Sequence, residues 1–188
     1  MNEKIIIASD IHGSAYWCRL LLDAFENENA DRLLLLGDLL YHGPRNDFPD
    51  EYEPRKVFDM LNGIKDKITA IRGNCDSEVD QMVLDFPCLA DYALVSDEYQ
   101  TLFATHGHIY NTQNQPLLKK GDVLLNGHFH TPRYERLENG ALYANCGSVA
   151  LPKDGTPHSY IVYEQGELVW KDLETGGIFD CVKCMPIE

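Results

Sequence analysis

Aspartate, asparagine and histidine residues follow directly on several apolar runs of this sequence. Each of five runs ends in side chains that can bind a metal or move a proton. The runs are IIIAS before Asp10 and His12, LLLLG before Asp38, ITAIRG before Asn74, LFAT before His106 and His108, and VLLNG before His128 and His130. Five of the seven histidines stand at these positions, which placement for packing or solubility alone would not produce. This clustering indicates a chemical site.

The donor atoms of these residues are imidazole nitrogens, carboxylate oxygens and one amide oxygen. Such a mixed set suits Mn, Fe, Ni or Zn better than Ca, which takes oxygen ligands only. The side chains at the strand ends that could supply these donors are Asp10, His12, Asp38, Asn74, His106, His108, His128 and His130. They are too many for one tetrahedral zinc, but they suit two metals that share a bridging carboxylate. Two metals about 3.5–4 Å apart can clamp the attacking and leaving oxygens of a phosphoryl group.

Two pairs of these residues have i,i+2 spacing, namely Asp10 with His12 and His128 with His130. In an extended chain, both side chains of such a pair point the same way. Each pair is therefore predicted to give two ligands to one metal, or one ligand to each of two adjacent metals. Taken singly, DIHG and the Asn of GNCD are more often turn residues. The ordered set at strand ends is what favours a metal site.

The apolar runs are continuous, as in strands that are covered on both faces. Between the early runs lie helical patterns, one with Ser14 as its N-cap, one opened by Pro54, and a short one at 78–84. This alternation predicts an α/β sheet, in which ligands bind outside the carboxyl ends of the strands. Later in the chain, Asn139-Gly140 and Gln165-Gly166 predict two hairpins.

Length and charge narrow the class of protein. The 188 residues suit one domain, 1–188, with a sizeable core. Sixteen basic residues face 30 acidic ones, and the net charge of −14 argues against binding to long nucleic acids. A phosphate-bearing substrate would then need bound cations for local positive charge. The sequence shows neither a signal-peptide core nor a membrane-length apolar run. We therefore expect a cytoplasmic protein without membrane contact.

The ordered set DIHG, GDLLYHG, RGNCD, THGH and GHFHTP resembles the calcineurin-like metallophosphoesterase superfamily. Within it, the HGPRN loop and RGNCDSEVDQM resemble the YfcE-type phosphodiesterases, and the likeness loosens after about residue 150. The resemblance implies a single-domain, four-layer αββα sandwich of two mixed sheets. It also implies hydrolysis of a small phosphate diester by in-line attack of a metal-bridging hydroxide. Relatives self-associate, which implies a homo-oligomer.

The resemblance also assigns roles by motif. It implies a first metal on Asp10, His12 and His130, a second on Asn74, His106 and His128, and Asp38 as the bridge between them. Mn²⁺ is the first candidate for both ions, and Fe, Ni and Zn are the alternatives.

Further polar residues near these motifs receive supporting roles. Arg45 and Asn46, in the polar loop 43–53, would hold the rest of the substrate, the alternative being a solvated loop. His42 and His108 are expected to orient ligands, and Asp76 is interpreted as a turn and helix N-cap residue.

Many members of the superfamily carry a histidine after the asparagine of the GNCD motif, where it is implied to protonate the leaving group. Here that residue is Cys75. Nearby cations would lower its thiol pKa, and a thiolate nucleophile is the alternative to the hydroxide. General acid catalysis is worth about 10²–10⁴-fold. Its loss predicts a preference for good leaving groups, and for diesters over alkyl monoesters.

A second class of function remains open on the same fold, a non-catalytic scaffold or a protein that binds a phosphorylated metabolite. Such a role would tolerate lost ligands, whereas all seven candidates are present. The sequence thus favours an enzyme, with Asp38, Asn74 and Cys75 as candidate catalytic residues and a small diester as substrate.

Overall fold

The computed structural model describes residues 3–185, which contain eleven strands and three α-helices. The helices are α1 (Ala15–Asn27), α2 (Pro54–Asn62) and α3 (Glu78–Gln81). The first six strands are β1 (Ile5–Ala8), β2 (Arg32–Leu35), β3 (Ile68–Ala70), β4 (Tyr92–Ser96), β5 (Thr101–Thr105) and β6 (Val123–Asn126). The remaining strands are β7 (Arg133–Arg136), β8 (Leu142–Asn145), β9 (Ser159–Glu164), β10 (Glu167–Asp172) and β11 (Ile178–Lys183).

These strands form two mixed sheets. The first has six strands in the order β11-β10-β9-β1-β2-β3, with β1, β2 and β3 parallel and the β9–β11 meander antiparallel. The second has five strands in the order β4-β5-β6-β8-β7, with β5, β6 and β8 parallel and the two edge strands antiparallel. The predicted hairpins are the β7–β8 and β9–β10 pairs. The predicted α/β fold of two mixed sheets is confirmed.

The two sheets pack face to face. Ile5, Ile7 and Leu34 of the first sheet belong to the same buried cluster as Val123 and Leu125 of the second. The alternate side chains of the first sheet point the other way and pack beneath α1 and α2. Because both faces of the central strands are covered, β1 is apolar at every position, and β2 and β6 are apolar at three of four positions.

Sequence signals set the helix starts. The hydroxyl of Ser14 accepts a 3.3 Å hydrogen bond from the backbone N–H of Trp17, and Pro54 stands in the first turn of α2. The third helix is shorter than the predicted 78–84. Its N-cap is Ser77, whose backbone N–H bonds Oδ2 of Asp80 at 2.6 Å. The N-cap prediction for Asp76 is therefore wrong, because that side chain is engaged elsewhere.

The fourth layer of the sandwich is an irregular segment. The outer face of the second sheet is covered by the irregular segment 107–121, from which Leu118 packs against Leu124 and Tyr143. Asn111 shows why this segment does not form a helix. Its side-chain oxygen accepts hydrogen bonds of 2.8 and 3.1 Å from the backbone N–H groups of Gln113 and Asn114. Such local bonds compete with helical ones.

Both outer strands that the sequence did not indicate, β4 and β11, are sheet edges. Tyr92 and Leu94 of β4 are exposed, as are Ile178 and Phe179 of β11, so neither strand carries a buried run.

The longest helix in the described part of the chain, α1, has 13 residues. Within residues 3–185, no helix combines the length and apolar character that a membrane crossing requires.

Candidate metal centre

The carboxyl ends of parallel strands from both sheets meet at one place. Asp10, Asp38 and Asn74 follow β1, β2 and β3, and His106 and the His128–His130 turn follow β5 and β6. Hydrogen bonds join the two sets across the sandwich. The backbone N–H of His128 donates to Oδ2 of Asp10 at 2.9 Å, and Nδ1 of His106 lies 2.7 Å from the carbonyl oxygen of Leu36. All seven candidate ligands are thereby brought together.

Three donor atoms form a first group. Oδ1 of Asp10 lies 3.5 Å from Nε2 of His12 and 3.2 Å from Nε2 of His130, and the two nitrogens are 3.4 Å apart. Ligand atoms that each lie about 2.1 Å from one ion are themselves separated by about 3–3.5 Å. Oδ1 of Asp10 is buried and has no hydrogen-bond partner among residues 3–185. A cation among these three atoms would satisfy it.

A second group surrounds Nε2 of His106. That nitrogen lies 3.1 Å from Oδ1 of Asn74, 3.2 Å from Nδ1 of His128 and 3.4 Å from Oδ2 of Asp38. The same Oδ2 of Asp38 is 3.8 Å from Nε2 of His12, in the first group. Asp38 thus lies between the two groups, where one carboxylate can serve both.

Three histidines are oriented by backbone carbonyls. Nδ1 of His12 lies 2.8 Å from the oxygen of Tyr41, and Nδ1 of His130 lies 2.5 Å from the oxygen of Leu151. His106 is held in the same way by Leu36. Each Nδ1–H donates to its carbonyl, so each neutral ring turns the lone pair of Nε2 towards the site, as metal-binding histidines do. Facing lone pairs repel one another unless a cation or a proton lies between them. The residues present therefore fit bound metal ions.

Charges in the site shift its pKa values strongly. Burial alone would raise the pKa of Asp10, but His106, His12 and His130 outweigh it and hold that pKa well below the ordinary range. Burial would likewise raise the pKa of Asp38, but the hydrogen bond with His106 lowers it. The pKa values of His106 and His128 shift in opposite directions. Burial would depress the pKa of His106, but the carboxylates of Asp10 and Asp38 raise it to about 9. Burial and the charge of His106 lower the pKa of His128 to about 4.

The backbone of the ligand turns is left-handed rather than extended. Among the described residues, nine non-glycine residues have positive φ, and five of them are candidate ligands. These five are Asp10 (61°), His12 (48°), Asp38 (56°), His128 (63°) and His130 (61°). The side chains of both i,i+2 pairs do enter the site. The prediction that an extended backbone directs them there is wrong, because the backbone of these residues is left-handed. Left-handed φ is costly for side chains other than Gly, and such strain clusters at functional sites.

Asp76 supports these turns and was not predicted to do so. Its Oδ2 accepts hydrogen bonds of 2.7 Å from the backbone N–H groups of Asp38 and Gly73, and its Oδ1 accepts one of 2.9 Å from that of Leu39. The carboxyl is buried, and burial together with the charge of Asp38 raises its pKa to about 6. Asp76 thus joins the turn that carries Asp38 to the turn that carries Asn74. In the sequence, the only sign of this role is the position of an acidic residue two places after Asn74.

A cavity of about 390 Å³ opens over the donor groups. Its walls include the loop residues Arg45 and Asn46, together with Cys75, Phe129 and Lys153. The side-chain amide of Asn46 donates a 2.8 Å hydrogen bond to the carbonyl oxygen of His42, which fixes the loop. Arg45 is exposed. Phe129 and Lys153 escaped the sequence analysis, since nothing in a lone Phe or Lys marks a pocket wall.

Cys75 is half-buried in that wall. Its Sγ lies within 4.8 Å of a ring nitrogen of His12 and a carboxylate oxygen of Asp38. Burial and the Asp38 carboxylate raise the pKa of the thiol. The ring of His108 lies 5.4 Å from that of His106. Among the described residues, the buried Nδ1 atoms of His42 and His108 have no hydrogen-bond partner, so these atoms orient no ligand.

Comparison with known proteins gives consistent results. The family model for the calcineurin-like phosphoesterase superfamily domain matches residues 4–167. The phosphodiesterase YfcE of Escherichia coli strain K12 is 48% identical over 157 residues, which are 84% of this chain and 85% of that protein. A solved structure of E. coli YfcE, described as a phosphoesterase, matches with a TM-score of 0.93 and 44% identity, over 96% of this chain and 99% of that one. An archaeal phosphodiesterase matches with a TM-score of 0.58 and 20% identity, over 94% and 97%, and this likeness concerns the fold alone.

Proposed function

Because this chain belongs to the calcineurin-like phosphoesterase superfamily and is a phosphoric ester hydrolase, we propose that it is a metal-dependent phosphodiesterase that hydrolyses a small phosphate diester. The observation that carries the proposal is the pair of donor groups that share Asp38, one of them with the unpartnered Oδ1 of Asp10. The identity to a named phosphodiesterase supports diesters as the substrate class.

The proposed metal ligands are those of the two donor groups. Asp10, His12 and His130 would hold one ion, Asn74, His106 and His128 the other, and Asp38 both. Two divalent ions, Mn²⁺ first and Fe, Ni or Zn as alternatives, would polarise the phosphoryl oxygens and acidify the water that attacks in line with the leaving group.

Asp38, Asn74 and Cys75 are the proposed catalytic residues. The carboxylate of Asp38 keeps the two donor groups in register, and the exposed side chain of Asn74 lies where a phosphoryl oxygen can reach it. The same Asp38 opposes ionisation of Cys75, which supports a protonated thiol over a thiolate nucleophile. A thiol is a poor proton donor to an alkoxide compared with an imidazolium. Esters with good leaving groups are therefore the preferred substrates.

Arg45 and Asn46 are the proposed contacts to the rest of the substrate. Both line the cavity, and the bond from Asn46 to His42 holds this part of the loop in place. An Arg side chain can take a phosphate or carboxylate group with two parallel hydrogen bonds. In a protein with a net charge of −14, such a cation is a strong attractant at the mouth of the site.

The test is hydrolysis of bis(p-nitrophenyl) phosphate with and without added Mn²⁺, by the wild type and by Asp38→Asn. We expect Mn²⁺-dependent turnover that Asp38→Asn abolishes. The matched control is Asp172→Asn, which changes a half-buried carboxylate at the end of β10, outside the donor groups. No turnover by the metal-loaded wild type, or undiminished turnover by Asp38→Asn, would overturn the proposal. Metal binding without turnover would instead support the scaffold or metabolite-binding alternative. A scaffold would tolerate the loss of ligands, but all seven candidate ligands are present in this sequence.

The remaining parts of the proposal concern location and assembly. We place the protein in the cytoplasm as a homo-oligomer that acts on a small molecule, not on long nucleic acids or membranes. The exposed Tyr92 and Leu94 on the edge strand β4 support self-association. Light scattering on the purified protein tests the assembly, and a monomer at all concentrations would contradict it.

A further inference from the structure

Phe129 is the one large apolar side chain in the cavity wall, among the described residues. Its side chain is 42% exposed, and it stands between the candidate ligands His128 and His130. The rest of the lining consists of polar side chains together with Gly43 and Pro44. The exposed part of the phenyl ring borders the cavity, so it is free to contact a bound ligand there.

The ring is held in a fixed position. Both neighbouring residues have left-handed backbone, and the backbone N–H of Phe129 donates a 2.6 Å hydrogen bond to the carbonyl oxygen of Gly127. The rings of Phe129 and His128 form a T-shaped pair with a centroid separation of 5.1 Å and an interplanar angle of 73°. A side chain that is ordered in advance binds a flat partner at low entropic cost. The exposed face of Phe129 is therefore suited to a planar ring.

Lys153 extends the same part of the wall. Its backbone N–H donates a 3.1 Å hydrogen bond to the carbonyl oxygen of His130, which fixes its segment next to the Phe129 turn. The neighbouring carboxylate of Asp154 is occupied by the hydroxyl of Thr131 at 2.8 Å. The side chain of Lys153 is exposed, and it enters no ion pair within residues 3–185. A positive charge thus borders the aromatic face.

We propose that the wall formed by Phe129 and Lys153 selects phosphate esters in which one arm is a planar aromatic ring with a second negative charge. The ring of that arm stacks on Phe129, and its anionic group faces Lys153. The inference rests on the proposed phosphodiesterase function, since it assigns the substrate class of the same site. It adds two specificity residues that the metal groups do not require.

Binding of phosphonates tests the aromatic part without turnover. The affinities of Mn²⁺-loaded protein for phenylphosphonate and methylphosphonate are measured by calorimetry in wild type, Phe129→Leu and Phe129→Tyr. Stacking of a base on an aromatic side chain is worth about 1–3 kcal/mol, so the wild type should prefer phenylphosphonate by about tenfold. Phe129→Leu should lose most of that preference, and Phe129→Tyr should keep it. Phe179→Leu is the matched control, because Phe179 is also 42% exposed and lies on the edge strand β11.

A charged phosphonate tests the second part. 4-Carboxyphenylphosphonate carries one more negative charge than phenylphosphonate. Exposed ion pairs contribute about 0.2–1 kcal/mol, so Lys153→Met should weaken the preference for the carboxylated probe by about two- to fivefold. Lys119→Met, which removes an exposed lysine outside the cavity, should leave it unchanged.

The outcomes separate this inference from the proposed function. Unchanged phenyl-to-methyl preference in Phe129→Leu, with Mn²⁺-dependent turnover intact in the wild type, overturns the inference and leaves the function standing. If the protein shows no turnover but Phe129→Leu removes the preference for phenylphosphonate, the proposed function is overturned and the role of Phe129 in binding aromatic rings is supported. An unchanged carboxylate preference in Lys153→Met overturns the role of the charge.

Discussion

The backbone N–H of Cys75 donates a 2.7 Å hydrogen bond to Oδ1 of Asp38. The other oxygen of that carboxylate faces both donor groups. The bond therefore ties the position of residue 75 to the centre of the site, and any side chain at this position stands in the wall above it.

Replacing Cys75 by histidine should restore a general acid. An imidazolium protonates an alkoxide leaving group far better than a thiol does, so alkyl phosphomonoesterase activity should rise at least about tenfold relative to aryl diesterase activity. The ratio is measured with an alkyl monophosphate and bis(p-nitrophenyl) phosphate at saturating Mn²⁺. An unchanged ratio in a folded, metal-loaded variant would sink the leaving-group explanation.

Replacing Cys75 by alanine separates the thiol from the metal chemistry. Because Asp38 opposes thiolate formation, Cys75→Ala should keep measurable Mn²⁺-dependent turnover. Complete loss of turnover with metal binding intact would instead point to a thiol nucleophile.

Asp76→Asn should weaken both the fold and the centre. The carboxylate accepts three backbone N–H groups, whereas an amide has one acceptor oxygen and must turn its NH₂ group towards a donor. Such a buried mismatch costs about 1–3 kcal/mol in the free energy of unfolding. Urea unfolding and Mn²⁺ calorimetry measure the two effects. Asp172→Asn, which changes two bonds in an exposed turn, is the control and should change stability by less than about 0.5 kcal/mol. Equal effects of both variants would contradict the role of Asp76.

Gly73→Ala should disrupt the turn that carries Asn74. A Cβ at this position would lie 2.1 Å from Oδ1 of Asp38 and 2.4 Å from its backbone nitrogen, so the two turns would have to separate. We expect loss of Mn²⁺ binding and a lower melting temperature. Gly177→Ala is the control, because a Cβ there meets only the hydroxyl of Thr175 at 3.1 Å. Full metal binding by Gly73→Ala would show that the close approach of these turns is dispensable.

Metal addition should stabilise the protein strongly. A bound cation relieves the repulsion between the facing lone pairs and satisfies the unpartnered oxygen of Asp10. At a hundredfold excess over Kd, one ligand adds about 2.7 kcal/mol to the free energy of unfolding. Mn²⁺ should therefore raise the melting temperature, EDTA should reverse the rise, and calorimetry should give two ions per chain. A stoichiometry of one would refute the two-ion centre, and Asp10→Asn should reduce the rise in melting temperature.

The order of the ligands along the chain was readable from the sequence because strands covered on both faces leave continuous apolar runs. Each run ends where its buried strand ends, so the polar residues after it mark one edge of the sheet. The starts of α1 and α2 were also readable, because Ser14 and Pro54 are residue types that favour helix starts whatever the distant contacts.

What the sequence did not reveal depends on contacts between distant segments. The left-handed backbone at His128 is accompanied by a bond to Asp10, which lies 118 residues earlier. The role of Asp76 requires N–H groups from a turn nearly 40 residues away. Lys153 reaches the cavity only because the β7–β8 hairpin returns the chain to His130. No local pattern encodes any of these meetings.

The strand order of the first sheet has a consequence for biosynthesis. β1, which leads to Asp10, lies between β2 and the late strand β9, and His106, His128 and His130 follow strands of the second sheet. A nascent chain that has emerged only through β6 holds most of the ligands but lacks β9, one of the two strands that pair with β1. We therefore expect ion loading to await nearly complete translation, and a prematurely terminated chain to carry the ligands without the centre.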